Sequence, residues 1–144
     1  MHQHPQTTPV HEALRTHGFR VTTTRVKLLT LLEKAGTPLS IQMILSQWKE
    51  KLPDHTTLYR SLTDLSNVGI VRRVDLNTGT AHFEYTPDRP HHHHIVCTDC
   101  GSIEEIEDCP IGTLEEKITV KSLQFSIINT HNLEFFGRCH VCIS

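Results

Sequence analysis

Two C-x-x-C pairs, Cys97-Thr98-Asp99-Cys100 and Cys139-His140-Val141-Cys142, bracket much of the last third of this 144-residue chain. Two thiolates at this spacing can grip one ion, and two pairs supply the tetrahedron that zinc prefers, with Zn–S near ~2.3 Å. If both pairs hold one ion, the region between them must fold back until its ends meet. A unit this small is marginal on a hydrophobic core alone, and a structural metal contributes folding free energy directly. The rival readings are a redox motif, which needs only one pair, and buried free thiols. Cys109, alone before Pro110, reads as a small core or surface residue rather than a ligand.

Upstream, the chain reads as helices. In "TTTRVKLLTLLEKAG", Val26, Leu29, Leu32 and Ala35 recur at helical spacing, with Leu28 and Leu31 widening the stripe and Gly36 as the stop. Ser40 is an N-cap candidate ahead of Ile41, Ile44, Leu45 and Trp48. A third helix starts near Asp54, presents Leu58, Leu62, Leu65 and Val68, and stops at Gly69. "IVRRVD" and "AHFEYT" then read as a hairpin around "LNTGT". Three short helices and a hairpin outline a winged helix-turn-helix over residues 1–85, and "TPDRP" (86–90) is a hinge by composition. Residues 91–144 read as a small α/β unit. Its elements are strands near 93–97 and 103–107, a helix from Ile111 to about Lys121 (with Leu114 and Ile118 four apart), and a long strand through "LQFSIINTHNLEFF". The fold class is α+β.

Charge divides the same way. Residues 1–83 hold ten Lys/Arg and six acids, and residues 84–144 hold four and ten. A basic half suits a polyanion, and the acidic half has another task. No stretch approaches the ~18 consecutive apolar residues of a membrane span. "MHQHPQTTPV" has no apolar signal-peptide core, so a cytoplasmic chain with reduced thiols is expected.

The segment "HHHHIVCTDCG" (91–101) places four histidines directly before the first cysteine pair. In a strand, side chains alternate in direction, so His92 and His94 face one way and His91 and His93 the other. One run can therefore feed two metal sites. Imidazole with carboxylate suits Zn, Fe or Mn, and Glu84, Glu104, Glu105 and Glu107 are the nearby carboxylates. Metal-activated hydrolysis is the enzymatic alternative and a metal carrier the third. No G-x-S-x-G or glycine-rich phosphate loop is present, nor the P-C-x-x-C of zinc deaminases.

"GFRVTTTR" (18–25), "TTLYRSLTDLSNVGIV" (56–71), "HHHHIVCTDCGSIEEIED" (91–108) and "HNLEFFGRCHVC" (131–142), in this order, resemble the ferric uptake regulator superfamily of metal-responsive repressors. The superfamily includes iron, zinc, manganese and peroxide sensors. The resemblance implies a winged-helix DNA-binding domain, a hinge and an α/β dimerisation domain, hence a homodimer on double-stranded operator DNA and no enzymatic activity. It implies structural Zn2+ at Cys97, Cys100, Cys139 and Cys142. It implies a regulatory Fe2+, Mn2+ or Zn2+ at Glu84, His92, His94 and Glu105, and an additional site at His91, His93 and His131. Two positions depart from the family pattern. Gly112 stands where the additional site usually gains a carboxylate, with Glu115 and Glu116 one turn later as substitutes. Pro38 stands where a histidine of the DNA-binding domain usually joins the regulatory metal.

With Leu58 inward, the third helix turns Thr56, Arg60, Thr63 and Asn67 outward, with Thr57 and Tyr59 alongside. Arg suits guanine edges or phosphate, Asn adenine, and Thr backbone or a thymine methyl. Arg20 resembles a second DNA-contacting position. A sensor of His and carboxylate alone suits iron or manganese and tolerates zinc, so an iron-responsive repressor is the expectation, with zinc, manganese or peroxide sensing as alternatives.

Overall fold

The computed structural model of the chain describes residues 8–109 and 111–144. The first seven residues, where the signal-peptide reading begins, lie outside the described residues. The chain divides into two compact units, Met1–Asp88 and Arg89–Ser144.

The N-terminal unit opens with a helix that periodicity did not reveal, α1 (Pro9–Thr16). It is too short for a repeating pattern, and Val10 and Leu14 alone carry its buried face. Its start is still marked chemically: Thr8 caps it by accepting from His11 N–H, and Pro9 stands in the first turn. Helix α2 (Thr23–Ala35) is capped by Thr22 and ends at Gly36 with φ +66°, a left-handed conformation that glycine adopts without strain. Strand β1 (Leu39–Ser40) leads into α3 (Ile41–Ser46), whose first turn is held by Ser40 Oγ accepting from Met43 N–H at 3.2 Å. Helix α4 (His55–Asn67) is capped by Asp54, which accepts from Thr57 N–H. Its apolar stripe ends one turn earlier than expected: Leu58, Leu62 and Leu65 are fully buried, but Val68 is 38% exposed beyond the last helical residue.

Strands β2 (Val71–Asp75) and β3 (Ala81–Tyr85) form the expected hairpin, with Val71 opposite Tyr85 and Asp75 opposite Ala81. The two-residue β1 pairs with the other edge of β3, giving the sheet order β1-β3-β2. Leu14, Leu28, Leu29, Leu32, Ile44, Leu58, Leu62, Leu65 and Ile70 close one aliphatic core. Each such side chain contributes ~1.5–3 kcal/mol of transfer free energy.

The C-terminal unit comprises β4 (His93–Cys97), β5 (Ile103–Ile106), α5 (Gly112–Lys121), β6 (Phe135–Gly137) and the short α6 (His140–Ile143). Its sheet order is β5-β4-β6, antiparallel between β4 and β5 and parallel between β4 and β6. The long strand expected over 123–136 is replaced by three residues, Phe135–Gly137, and 123–134 has no regular structure. Leu123, Phe125 and Ile127 do alternate as a strand would, but they are 102%, 68% and 71% exposed. Alternation makes a strand only where a neighbouring strand and an apolar face receive it, and a single chain provides neither here. Likewise α5 forms where expected but buries nothing: Leu114 and Ile118 are about half exposed. Among the described residues, no helix is long and apolar enough to cross a membrane.

Candidate metal centres and nucleic-acid face

In the C-terminal unit, β4, the middle strand of the sheet, carries much of the candidate chemistry. The sulfurs of Cys97, Cys100, Cys139 and Cys142 all lie within 4.8 Å of one another. Cys97 ends β4, and the chain turns tightly through Gly101, whose N–H donates to the Cys97 carbonyl at 2.9 Å. That turn returns Cys100 beside Cys97. Parallel pairing of Cys97 with Gly137 brings the second pair alongside, and α6 starts at Cys139, so Cys142 folds back over it. Backbone N–H groups of Cys100 and Cys139 hold the Cys97 thiol down at about 6, and the Ser102 hydroxyl and N–H lower Cys100 as well. Cys142 is pushed up, because its proton is shared with the sulfurs of Cys139 and Cys100. Thiolates and shared protons crowded in this way form the donor set of a structural zinc site.

The histidines divide as strand alternation requires. His91 and His93 have ring centroids 4.7 Å apart, and His92 and His94 5.1 Å apart. His92 Nδ1 is 2.9 Å from the Pro90 carbonyl, and His94 Nδ1 is 2.9 Å from Glu134 Oε2. A carbonyl or carboxylate oxygen accepts, so each Nδ1 carries the hydrogen and each Nε2 bears the lone pair. Glu134 also accepts from the His94 backbone N–H at 2.7 Å, and sequence reasoning missed it. The available signal was an acid three residues after His131 in "HNLEFF".

The carboxylates proposed with these histidines each rest on an arginine. In the N-terminal unit, Arg72 Nε and Nη2 both reach Glu84 Oε1 at 2.8 Å, across the β2–β3 pair. In the C-terminal unit, Glu105 lies opposite His94 on β5 and is ion-paired with Arg89. Its second oxygen is 3.8 Å from His92 Nδ1. Pro38, the departure from the family pattern, is buried just before β1.

The other face of β4 differs from expectation. His91, His93 and His131 do cluster, but the fourth member is Cys109, which the sequence suggested was no ligand. Gly112 is exposed and offers nothing, and Glu115 lies behind the cluster, bonded to His131 Nδ1. Spacing could not show this, because Cys109 reaches the cluster through the irregular segment between β5 and α5.

In the N-terminal unit, α4 turns Thr56, Thr57, Arg60, Thr63 and Asn67 to solvent, with Tyr59 at 44% exposure. The Thr63 hydroxyl donates to the Tyr59 carbonyl at 2.9 Å. Arg20 is exposed, and its carbonyl accepts from Arg25 Nη1. An exposed polar helix preceded by α3 and followed by a hairpin is the arrangement that enters a major groove in winged-helix proteins.

Comparison with known proteins agrees with this architecture. The sequence model of the Ferric uptake regulator family matches residues 16–136. The ferric uptake regulation protein of Neisseria gonorrhoeae is 34% identical over 132 residues, covering 90% of each chain. The solved ferric uptake regulator of Francisella tularensis with iron superposes with a TM-score of 0.71 at 28% identity, covering 88% of this chain and 96% of the other. The Helicobacter pylori ferric uptake regulator, described as having three functional metal binding sites, gives 0.72 at 25% identity, covering 92% and 88%. With its winged helix-turn-helix unit and its α/β unit of candidate metal-ligand groups, the chain belongs to the ferric uptake regulator family of metal-responsive transcriptional regulators.

Proposed function

We propose that this chain is an iron-responsive repressor, a homodimer that holds operator DNA through α4 and the β2–β3 wing when its regulatory site is loaded. His92, His94, Glu84 and Glu105 are the regulatory ligands in this reading, and the four cysteines hold a structural zinc. The observation that carries it is the pair His92 and His94, buried side by side with each Nδ1 held by an oxygen, which sets the tautomer whose Nε2 bears the lone pair. Two imidazoles with carboxylates form a donor set for Fe(II) or Mn(II), and relatives named for ferric uptake favour iron. Arg72 and Arg89 keep Glu84 and Glu105 oriented, so a bound cation shares these carboxylates with the guanidinium groups.

A metal bound at these ligands would tie β3 of the DNA-binding unit to β4 of the other unit and favour one orientation of the recognition helices. Such coupling is bounded by the differential affinity for the two arrangements, ~1–3 kcal/mol. Pro38 offers no ligand atom, so the grip on the N-terminal unit falls to Glu84 and the coupling lies near ~1 kcal/mol. Dimer formation is supported by the exposed alternation of Leu123, Phe125 and Ile127 beside half-exposed Leu114 and Ile118, an apolar surface that a second copy can cover. A gene regulator with five free cysteines belongs in the reducing cytoplasm.

The test is anaerobic DNA binding with Fe(II), Mn(II) and Zn(II) in turn, for the parent and His94→Ala. The parent should tighten most with Fe(II). The variant should keep its cysteine-bound zinc but lose the metal response. Equal DNA affinity with and without metal in the parent would overturn the reading.

A further inference from the structure

The cluster on the opposite face of β4 has a composition that the regulatory pair lacks. His93 Nε2 lies 3.1 Å from His91 Nε2, 3.3 Å from His131 Nε2 and 3.0 Å from Cys109 Sγ. His91 Nε2 is also 3.1 Å from His131 Nε2, which is 3.6 Å from Cys109 Sγ. Three nitrogens and one sulfur therefore converge on one point, all within 4.8 Å of each other.

Their protonation is fixed from behind. His93 Nδ1 donates to the Leu133 carbonyl at 2.8 Å, and His131 Nδ1 donates to Glu115 Oε1. An acceptor at Nδ1 sets the tautomer, so both Nε2 atoms present lone pairs to the centre. His91 Nε2–H and the Cys109 S–H can bring at most two hydrogens to the five close contacts among these four atoms. Lone pairs packed at hydrogen-bond distance with too few protons between them suit a cation. His93 is 2% exposed, so water does not relieve the crowding there.

We propose that Cys109 completes, as a thiolate ligand, the additional site that the family resemblance places at His91, His93 and His131, making it a tetrahedral three-nitrogen, one-sulfur site with Glu115 and the Leu133 carbonyl as positioning groups. A thiolate selects borderline and soft ions, so the site takes Zn(II), or Co(II) as its spectroscopic substitute, over Mn(II) and Fe(II). Its donors come from β4 and the residues just before it, from the segment before α5 and from the segment before β6. A bound ion therefore clips together parts of the C-terminal unit that bury little apolar surface. The assignment does not depend on what the DNA-binding unit recognises.

The experiment uses the full chain with zinc retained at the four cysteines, titrated with Co(II). Any thiolate-to-cobalt charge-transfer band then reports on Cys109, because the histidine–carboxylate ligands contain no sulfur. The parent should develop this band at one equivalent, Zn(II) should abolish it, and equimolar Mn(II) should not. Cys109→Ser should lack the band. Glu115→Gln should keep it while binding about 10–100-fold more weakly, the usual loss when a group orienting a ligand is removed. A parent without the band, or a band that survives Cys109→Ser, overturns the proposal. A measurement without substitution checks it separately: Zn(II) should protect Cys109 from alkylation, read by peptide mass, and Mn(II) should not. Equal alkylation with and without Zn(II) also overturns it.

Discussion

The two units stabilise themselves by different means. The N-terminal unit closes around aliphatic side chains from α1, α2, α3 and α4, nine of them at 1% exposure or less, and its proposed DNA-contacting residues lie outside that core. Among the described residues of the C-terminal unit, the buried apolar ones are Val96, Cys97 and Ile111, and the other buried ones are His92, His93 and His94. Where one unit buries leucine, the other buries ligands. Imidazoles removed from water must be hydrogen-bonded or must coordinate, so in the proposed reading cations organise the C-terminal interior where side-chain packing organises the N-terminal one. On that reading the first unit folds at any metal level, while the structure of the second depends on metal.

The sharpest way to break this contrast is Cys97→Ala. Three thiolates hold zinc poorly, and structural zinc supplies ~10–16 kcal/mol of apparent binding free energy in small zinc-dependent folds. The C-terminal unit and the dimer should be lost together, while amide hydrogen exchange in α2 and α4 stays protected. Loss of protection in both units alike would show that they do not stabilise themselves separately. A zinc-free variant that remains folded and dimeric would remove the structural role.

The converse substitution is Leu62→Ala. Leu62 is fully buried in α4, and truncating such a leucine typically costs ~2–5 kcal/mol through lost transfer energy and the cavity left behind. Denaturant unfolding should show that loss in the N-terminal transition, with zinc content unchanged.

The same contrast explains what the sequence disclosed. Long amphipathic segments such as α2 and α4 were legible because their buried leucines repeat at helical spacing, and the β2–β3 hairpin because its turn residues are distinctive. The cysteine pairs and the two-way division of the histidine run were legible because ligand spacing and strand alternation are local rules. Helix α1 and strand β1 were not, being shorter than any repeat that could announce them. The 123–134 segment misled because its alternation of Leu123, Phe125 and Ile127 describes a face whose counterpart is absent from the single chain. Cys109 and Glu134 stayed hidden because both reach β4 from irregular segments, where sequence spacing carries no geometry.

The smallest expected effect, and the one that sharpens the division most finely, is Arg60→Ala. Arg60 is exposed on α4, on the side away from buried Leu58 and Leu62, so its removal should leave N-terminal stability and zinc content unchanged. If it reads a base edge, specific operator binding should weaken by ~1–3 kcal/mol while random DNA is bound almost as before. If it contacts only phosphate, both DNAs should lose affinity similarly, and the dependence of log affinity on log salt should flatten by about one contact. Measuring both DNAs at two salt concentrations separates these outcomes. No change on either DNA would remove α4 as the recognition helix and shift the search to Arg20 and the basic Arg72–Arg73 stretch of the wing. Metal-dependent orientation would then act through a different face of the same well-packed unit.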